Sequence, residues 1–205
     1  MGNQSLLDFF GNYPRYPNKQ SEDTPQYKGK LVIVAGGRCV WDDLAKIRIN
    51  TDEMDIMAVN DIGMHLPYKL KHWYSNDNIM LPKWLAARRP KFRRDPPYDE
   101  GQPIITHSCN TGAKYHWNTP GHGTSGLNAV YVGLLMGYDE IIICGMPLDD
   151  SGHYFDAPWE RSNFTKEAPD RDDGIRYWSG AAKHFEGRVT AVSGRLLKIL
   201  PRTSL

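Results

Sequence analysis

A chain of 205 residues with 25 Lys and Arg against 24 Asp and Glu has a formal charge of +1. It holds no cationic excess to neutralise a phosphate backbone, which argues against a nucleic-acid partner. With 40% apolar and 11% aromatic residues it can bury a core, which excludes a disordered acidic chain. No apolar stretch approaches the roughly 20 residues of a membrane helix, and the N-terminus lacks the basic-then-apolar order of a secretory signal. Cys39, Cys109 and Cys144 form no CxxC pair and leave an odd count, so no disulfide framework is expected and the expected compartment is cytoplasmic.

Residues 1–28 are polar, with Pro14, Pro17 and Pro25, and read as a flexible arm. Within them only Leu6, Leu7, Phe9 and Phe10 cluster as apolar residues, a patch suited to a homo-oligomer contact. Residues 29–205 read as a single domain. Leu31–Ala35 is a continuous apolar run bounded by glycines, as expected of a strand buried on both faces of a parallel sheet. The pattern then predicts a helix over 40–47, a strand over 54–59 ending at Asn60-Asp61, and a strand over 71–75 ending at Asn76-Asp77. A helix over 80–87, stopped by Pro90, and a strand over 104–106 follow. An almost wholly apolar helix over 125–136 is closed by Gly137. A strand over 140–144, a helix over 175–184, a strand over 188–192 and a short helix over 194–200 complete the chain.

Strands alternating with helices mean an α/β fold, Rossmann-like, with a mostly parallel sheet and helices on both faces. Ligands of such sheets bind outside the carboxyl ends of the strands, at the topological switch. The residues just after each strand are therefore the candidate site. Gly36-Gly37-Arg38 can bring backbone N–H groups and a guanidinium to a phosphate, or be a tight turn and no more. Asn60 and Asp61 are placed for a ribose or base, or for a turn cap. Gly121 to Gly126 opens the apolar helix. There Thr124 or Ser125 can cap, and Gly126 in the first turn costs about 1 kcal/mol against Ala, which points to close approach of a ligand or to tight packing. The loop from Gly145 gathers Asp149, Asp150, His153, Tyr154 and Asp156, a source of a general base or of metal ligands, or a polar surface loop. The basic stretch Lys83, Arg88, Arg89, Lys91, Arg93 and Arg94 reads as a solvated face or as a polyanion contact.

LVIVAGGRCVWDD at 31–43, the strand ending at Asn60-Asp61, and GTSGLNAVYVGLLMGYDEIIICGM at 123–146 followed by SGHYFD at 151–156 together resemble the bacterial lipooligosaccharide sialyltransferases. Their relatives include motility-associated glycosyltransferases and an archaeal pterin pyrophosphokinase-like family. The resemblance implies a Rossmann-like enzyme that transfers a sugar from a nucleotide donor, CMP-linked in the sialyltransferases, to a hydroxyl acceptor. On the same resemblance Mg²⁺ is possible but not required. It also implies that the glycine turn and Asn60 contact the nucleotide, that Thr124-Ser125-Gly126 contact the nucleotide or the donor sugar's carboxylate, and that Tyr154 lies near the donor phosphate. The chain departs from the family at Pro147, where the family has Asp, and over 170–178, which lacks the family's general-base His. His153 or Asp150 is left for that role. The segment 62–120 diverges and is expected to face the acceptor. A Mg²⁺-dependent phosphotransferase using Asp149, Asp150 or Asp156, and a nucleotide-binding module without catalysis, are the other functions this pattern admits.

Overall fold

Leu31, Val32, Ile33 and Val34 are all fully buried, so the strand they form, Lys30–Val34 (β1), is covered on both faces. The computed structural model describes residues 25–91, 103–117, 119, 124–149, 151–156 and 171–203. After β1 come a helix, Val40–Ile47 (α1), and a strand, Met54–Val59 (β2). A 3₁₀ turn over Asn60–Met64 leads to His72–Tyr74 (β3), Leu81–Lys91 (α2), Ile105–Ser108 (β4) and Tyr115–His116 (β5). The rest of the chain forms Ser125–Leu135 (α3), Glu140–Cys144 (β6), Arg171–Ala182 (α4), Val189–Ala191 (β7) and a 3₁₀ turn over Arg195–Lys198.

The strands make one sheet in the order β5-β4-β3-β2-β1-β6-β7, and every pairing is parallel. Alternate side chains feed two cores. Leu31, Ile33, Met57, Val59, Ile141 and Ile143 pack with α3 and with Trp178 and Ala181 of α4. On the other face, Val32, Val34, Ile56, Ala58, Ile142 and Cys144 pack with Val40, Leu44 and Ile47 of α1 and with Trp84 and Leu85 of α2. The expected Rossmann-like α/β fold is the fold observed, and the sheet is wholly parallel among the described residues.

Residues 126–134 of α3 are all buried, as a helix apolar on every side must be. Ring contacts from the α4 side close its outer face, with Tyr131 6.0 Å from Phe185 and Trp178 6.3 Å from Phe185. Gly137 follows at φ +87°, the left-handed conformation of a residue that ends a helix.

Several expectations are corrected. The helix over 81–91 does not stop before Pro90. It runs one residue beyond it, at the cost of the hydrogen bond that Pro90 has no N–H to make. β5 has only two residues, too short for any alternation to reveal. The expected last short helix is a 3₁₀ helix confined to Arg195–Lys198, and α4 begins four residues before Ile175, on the polar Arg171-Asp172-Asp173. Arg88 is no solvated cation: it is fully buried. Its Nη1 donates to the carbonyls of Gly63 and Leu66, both at 2.8 Å, and its Nη2 to that of Tyr68 at 2.7 Å, clamping the connection between β2 and β3. Arg93 and Arg94 lie outside the described residues.

Gln26 and Tyr27, counted in the arm, are docked on the amino-terminal edge of the sheet. The Tyr27 N–H donates to the Met136 carbonyl at 2.7 Å, and its ring stacks on Tyr138 at 5.2 Å and 8°. The Leu6–Phe10 cluster lies outside the described residues. Among those described, no helix is long and apolar enough to cross a membrane.

Candidate functional site

The chain winds from β1 outward to β5, then returns to place β6 against β1. The carboxyl ends of β1 and β6 are therefore the switch point where a crevice opens. There the two strand ends are stitched together. The Ala35 N–H donates to the Cys144 carbonyl at 2.9 Å and the Gly37 N–H to that of Gly145 at 2.7 Å. A Cβ on Gly37 would fall 2.6 Å from the Gly145 carbonyl oxygen, so only glycine permits this approach. Gly145 itself sits at φ +67°. The Gly37 N–H was expected to face a phosphate. It is already engaged, because the neighbouring loop lies too close to leave it open.

The loop after β6 folds back over the glycine turn. The Gly36 carbonyl accepts from the Tyr154 N–H at 2.9 Å and from His153 Nδ1 at 3.2 Å. The Arg38 N–H donates to the Gly152 carbonyl at 3.0 Å, and Arg38 Nη2 reaches the Asp156 carbonyl at 3.4 Å. Asp156 Oδ2 accepts the His153 N–H at 2.7 Å. This returns Tyr154 to the mouth of the crevice, its ring against Gly36 and its hydroxyl donating to Asp61 Oδ2 at 3.1 Å. Burial, and then the Asp61 charge, push the Tyr154 phenol up, so it remains a hydrogen-bond donor. Asn60, at φ +58°, is held by Trp73 Nε1 at its carbonyl, 2.6 Å away, and by Ser75 Oγ at its Oδ1, 2.8 Å away. Gly36, Gly37, Arg38, Asn60, Asp61, Gly145, His153 and Tyr154 thus meet along the ends of β1, β2 and β6.

Thr124, Ser125 and Gly126 form a second group at the head of α3. Thr124 Oγ1 caps the helix by accepting the Leu127 N–H at 3.4 Å. Ser125 Oγ accepts the Asn76 N–H at 3.3 Å, which sets the helix N-terminus over the end of β3. Met146, next to Gly145, joins the two groups, since a Cβ on Gly126 would meet its Sδ. Asp150 lies outside the described residues. Among those described, no three His, Cys, Asp or Glu side chains gather in an arrangement that could hold a metal ion.

Two buried residues around this edge, Asp43 and Asn128, were not among the sequence candidates, whereas Asn76, which follows β3, was. Asp43, 1% exposed, accepts the Gly145 N–H at 3.0 Å and the Ser193 hydroxyl at 2.9 Å on Oδ2. Its signal was a carboxylate on the apolar stripe of α1, between Val40 and Ile47. Asn76 Oδ1 accepts from the Tyr74 hydroxyl at 2.9 Å and from Asn128 Nδ2 at 3.1 Å, and Asn128 was legible as a lone amide in an apolar helix. The Cys39 thiol is pushed up to about 12, chiefly by burial, so it stays protonated and offers no thiolate nucleophile.

No family model and no curated protein sequence matches the chain. Solved structures do. The sialyltransferase CstII from Campylobacter jejuni, in complex with the substrate analogue cytidine-5'-monophosphate, aligns at a TM-score of 0.59 with 13% identity, covering 86% of this chain and 85% of that one. The same enzyme with CMP-3FNeuAc aligns at 0.58 with 14% identity over 86% of both chains. The sialyltransferase CST-II with a trisaccharide acceptor and CMP aligns at 0.56 with 14% identity, again over 86% of both. At this identity the likeness is one of architecture: the chain has a sialyltransferase-like, Rossmann-like glycosyltransferase fold.

Proposed function

We propose that the chain is a glycosyltransferase that binds a nucleotide sugar at the carboxyl edge of its sheet and transfers the sugar to a hydroxyl acceptor. CMP-linked sugars are the first donors to test. The observation that carries this reading is that one carboxyl edge of the sheet holds both the α3 N-terminus, set over the end of β3, and the Asn60, Asp61 and Tyr154 cluster at the end of β2. Its support from outside the chain is the set of similar folds solved with CMP, CMP-3FNeuAc and a trisaccharide acceptor.

In this reading the first-turn N–H groups of Ser125 and Gly126, next to the Leu127 N–H that Thr124 caps, and the helix dipole stabilise charge developing on the leaving nucleoside monophosphate. Tyr154, held protonated, gives its hydrogen to Asp61 at the same edge. The acceptor hydroxyl oxygen bonds to the anomeric carbon, the bond from that carbon to the phosphate oxygen breaks, and the acceptor proton passes to a base. His153 fits the base role by its tautomer: Nδ1 meets a carbonyl, which only accepts, so in the neutral ring the hydrogen sits on Nδ1 and the lone pair on Nε2. Asp150 is the alternative base. Gly36 and Gly37 serve by shape, letting the loop that carries His153 and Tyr154 close over β1.

The test is Ser125→Trp, which fills the head of α3. It should abolish binding of CMP in calorimetry while the circular dichroism spectrum stays that of the parent. Unchanged affinity removes the site. A thermal-shift panel of nucleotides and nucleotide sugars, with and without Mg²⁺, widens the search, since a ligand at 100 times its Kd adds about 2.7 kcal/mol. The engagement of the Gly37 N–H and of Arg38 within the protein favours one second reading, a nucleotide-binding module without transfer. It predicts nucleotide binding with no hydrolysis of any bound donor.

A further inference from the structure

Arg188 stands just before β7, where its carbonyl accepts the Ile141 N–H at 2.8 Å. Its guanidinium is half engaged. Nη1 donates to the Tyr138 carbonyl at 3.3 Å, while Nε and Nη2 are both out of water and donate to no group among the described residues. These two nitrogens form one edge of the fork, the edge that grips both oxygens of a carboxylate. A guanidinium does not give up its proton in a protein, and donors taken out of water are nearly always paired. The carboxylates around this one are engaged elsewhere or stay in water. Glu140 pairs with Lys30 at 3.1 Å, Asp139 Oδ2 accepts the Gly29 N–H at 2.7 Å, and Glu186 is exposed.

The segment 25–28 runs past this arginine. Pro25 and Tyr27 are half-buried while Gln26 and Lys28 are exposed, the alternation of an extended chain with one face on the protein. The inward face lays Tyr27 on Tyr138, the residue whose carbonyl Arg188 holds. Pro25 keeps Thr24 extended, which carries the alternation back to Asp23 on the inward face and Glu22 on the outward one. Both acids lie outside the described residues, and reach decides whether Asp23 can serve. The Tyr27 N–H is 2.7 Å from the Met136 carbonyl. That carbonyl is two residues from the Tyr138 carbonyl, so the Arg188 guanidinium lies within about 13 Å of the Tyr27 N–H. Asp23 is four residues earlier, and four extended residues span about 14 Å. We propose that the Asp23 carboxylate seats on the Nε–Nη2 edge of Arg188 and clasps the N-terminal arm to the amino-terminal edge of the sheet. Two parallel N–H···O bonds then satisfy both orphan donors. The clasp sets where the arm leaves the domain, on the edge opposite the candidate site. It stands or falls without the glycosyltransferase reading.

The experiment is thermal unfolding of the full chain for the parent, Asp23→Asn, Glu22→Gln, Arg188→Met and the double variant Asp23→Asn with Arg188→Met. Asp23→Asn should lower Tm by about 5 °C or more, as expected when one partner is removed from a charge held out of water. In the Arg188→Met background, which leaves no guanidinium to satisfy, the same substitution should move Tm by less than about 1 °C. Glu22→Gln should leave the Tm of the parent in place. No fall with Asp23→Asn, an equal fall in both backgrounds, or an equal fall with Glu22→Gln overturns the proposal. If Arg188→Met fails to fold, trypsin cleavage after Lys19 under native conditions takes its place. Asp23→Asn should then speed cleavage about threefold or more while Glu22→Gln does not, and equal rates for the two variants overturn the proposal.

Discussion

The Tyr154 hydroxyl donates to Asp61 Oδ2 at 3.1 Å, tying the loop after β6 to the turn after β2. Backbone bonds hold the base of that loop to Gly36 and Arg38, and the tyrosine bond holds its tip. Tyr154→Phe keeps the ring against Gly36 and removes only this tie, so it should cost about 1 kcal/mol. In a chain of this size that is a fall in Tm of about 2–4 °C. Scanning calorimetry checks it, and an unchanged Tm means that the backbone bonds alone fix the loop.

Two glycines at the crevice should respond oppositely to alanine. At Gly37 the added methyl runs into the Gly145 carbonyl and the Pro147 ring, neither of which can swing away, so Gly37→Ala should lose about 3 kcal/mol or fail to accumulate as folded protein. At Gly126 it meets the end of the Met146 side chain, which can move. The helix also gains about 1 kcal/mol of propensity, so the Tm of Gly126→Ala should stay within about 3 °C of the parent. Urea unfolding of the two variants side by side reads the contrast, and equal losses would refute it.

Apart from β5, the strands were legible because they are short runs stopped by glycine or by polar pairs. Met54–Val59 and Glu140–Cys144 were placed to the residue, and Val40–Ile47 was placed as accurately by its apolar stripe. The candidate site was legible as a set of positions, since a parallel sheet puts every strand end on one edge. Its hydrogen bonding was not. That the Gly37 N–H would be taken by Gly145, 108 residues later, depends on β6 returning beside β1, and strand order is not written in local pattern. Arg88 was misread for a similar reason: its partners are carbonyls in the connection before β3, and a carbonyl leaves no mark in the sequence.

Asp43 is a carboxylate spent on two donors from different loops, the Gly145 N–H and the Ser193 hydroxyl. Asp43→Ala leaves both unpaired in a buried place and should cost roughly 3 kcal/mol, whereas Asp43→Asn keeps an oxygen for them and should cost about 1 kcal/mol. Denaturant midpoints at pH 7 check the order. Equal losses for Asn and Ala would show that the charge, and not the acceptor, holds the loop.

A chain of hydrogen bonds beneath Tyr27 predicts acid lability. Trp117 Nε1 can only donate, so His107 Nδ1 accepts at 3.0 Å. His107 Nε2 then carries the hydrogen and gives it to His72 Nδ1 at 2.9 Å, and His72 Nε2 gives its own to the Tyr138 oxygen at 2.9 Å. The Tyr138 hydroxyl donates to Asp55 Oδ2 at 2.5 Å, which Lys71 Nζ also meets at 2.7 Å. Every ring nitrogen is committed with one hydrogen per imidazole, and an added proton would meet another donor. Burial, with Lys71 adding to it, takes His72 down to about 3 from its ordinary 6.5. Burial, with His72 adding to it, takes His107 well below that ordinary value. The folded chain therefore keeps both rings neutral where the unfolded chain takes up protons. Stability is full above pH 6.5 and falls as the pH drops toward 3, by up to about 1.4 kcal/mol per pH unit for each histidine. Between pH 7 and 5 carboxylates contribute little, so urea unfolding at these two values isolates the effect. A stability unchanged across that interval would show that the two rings accept protons in the folded state.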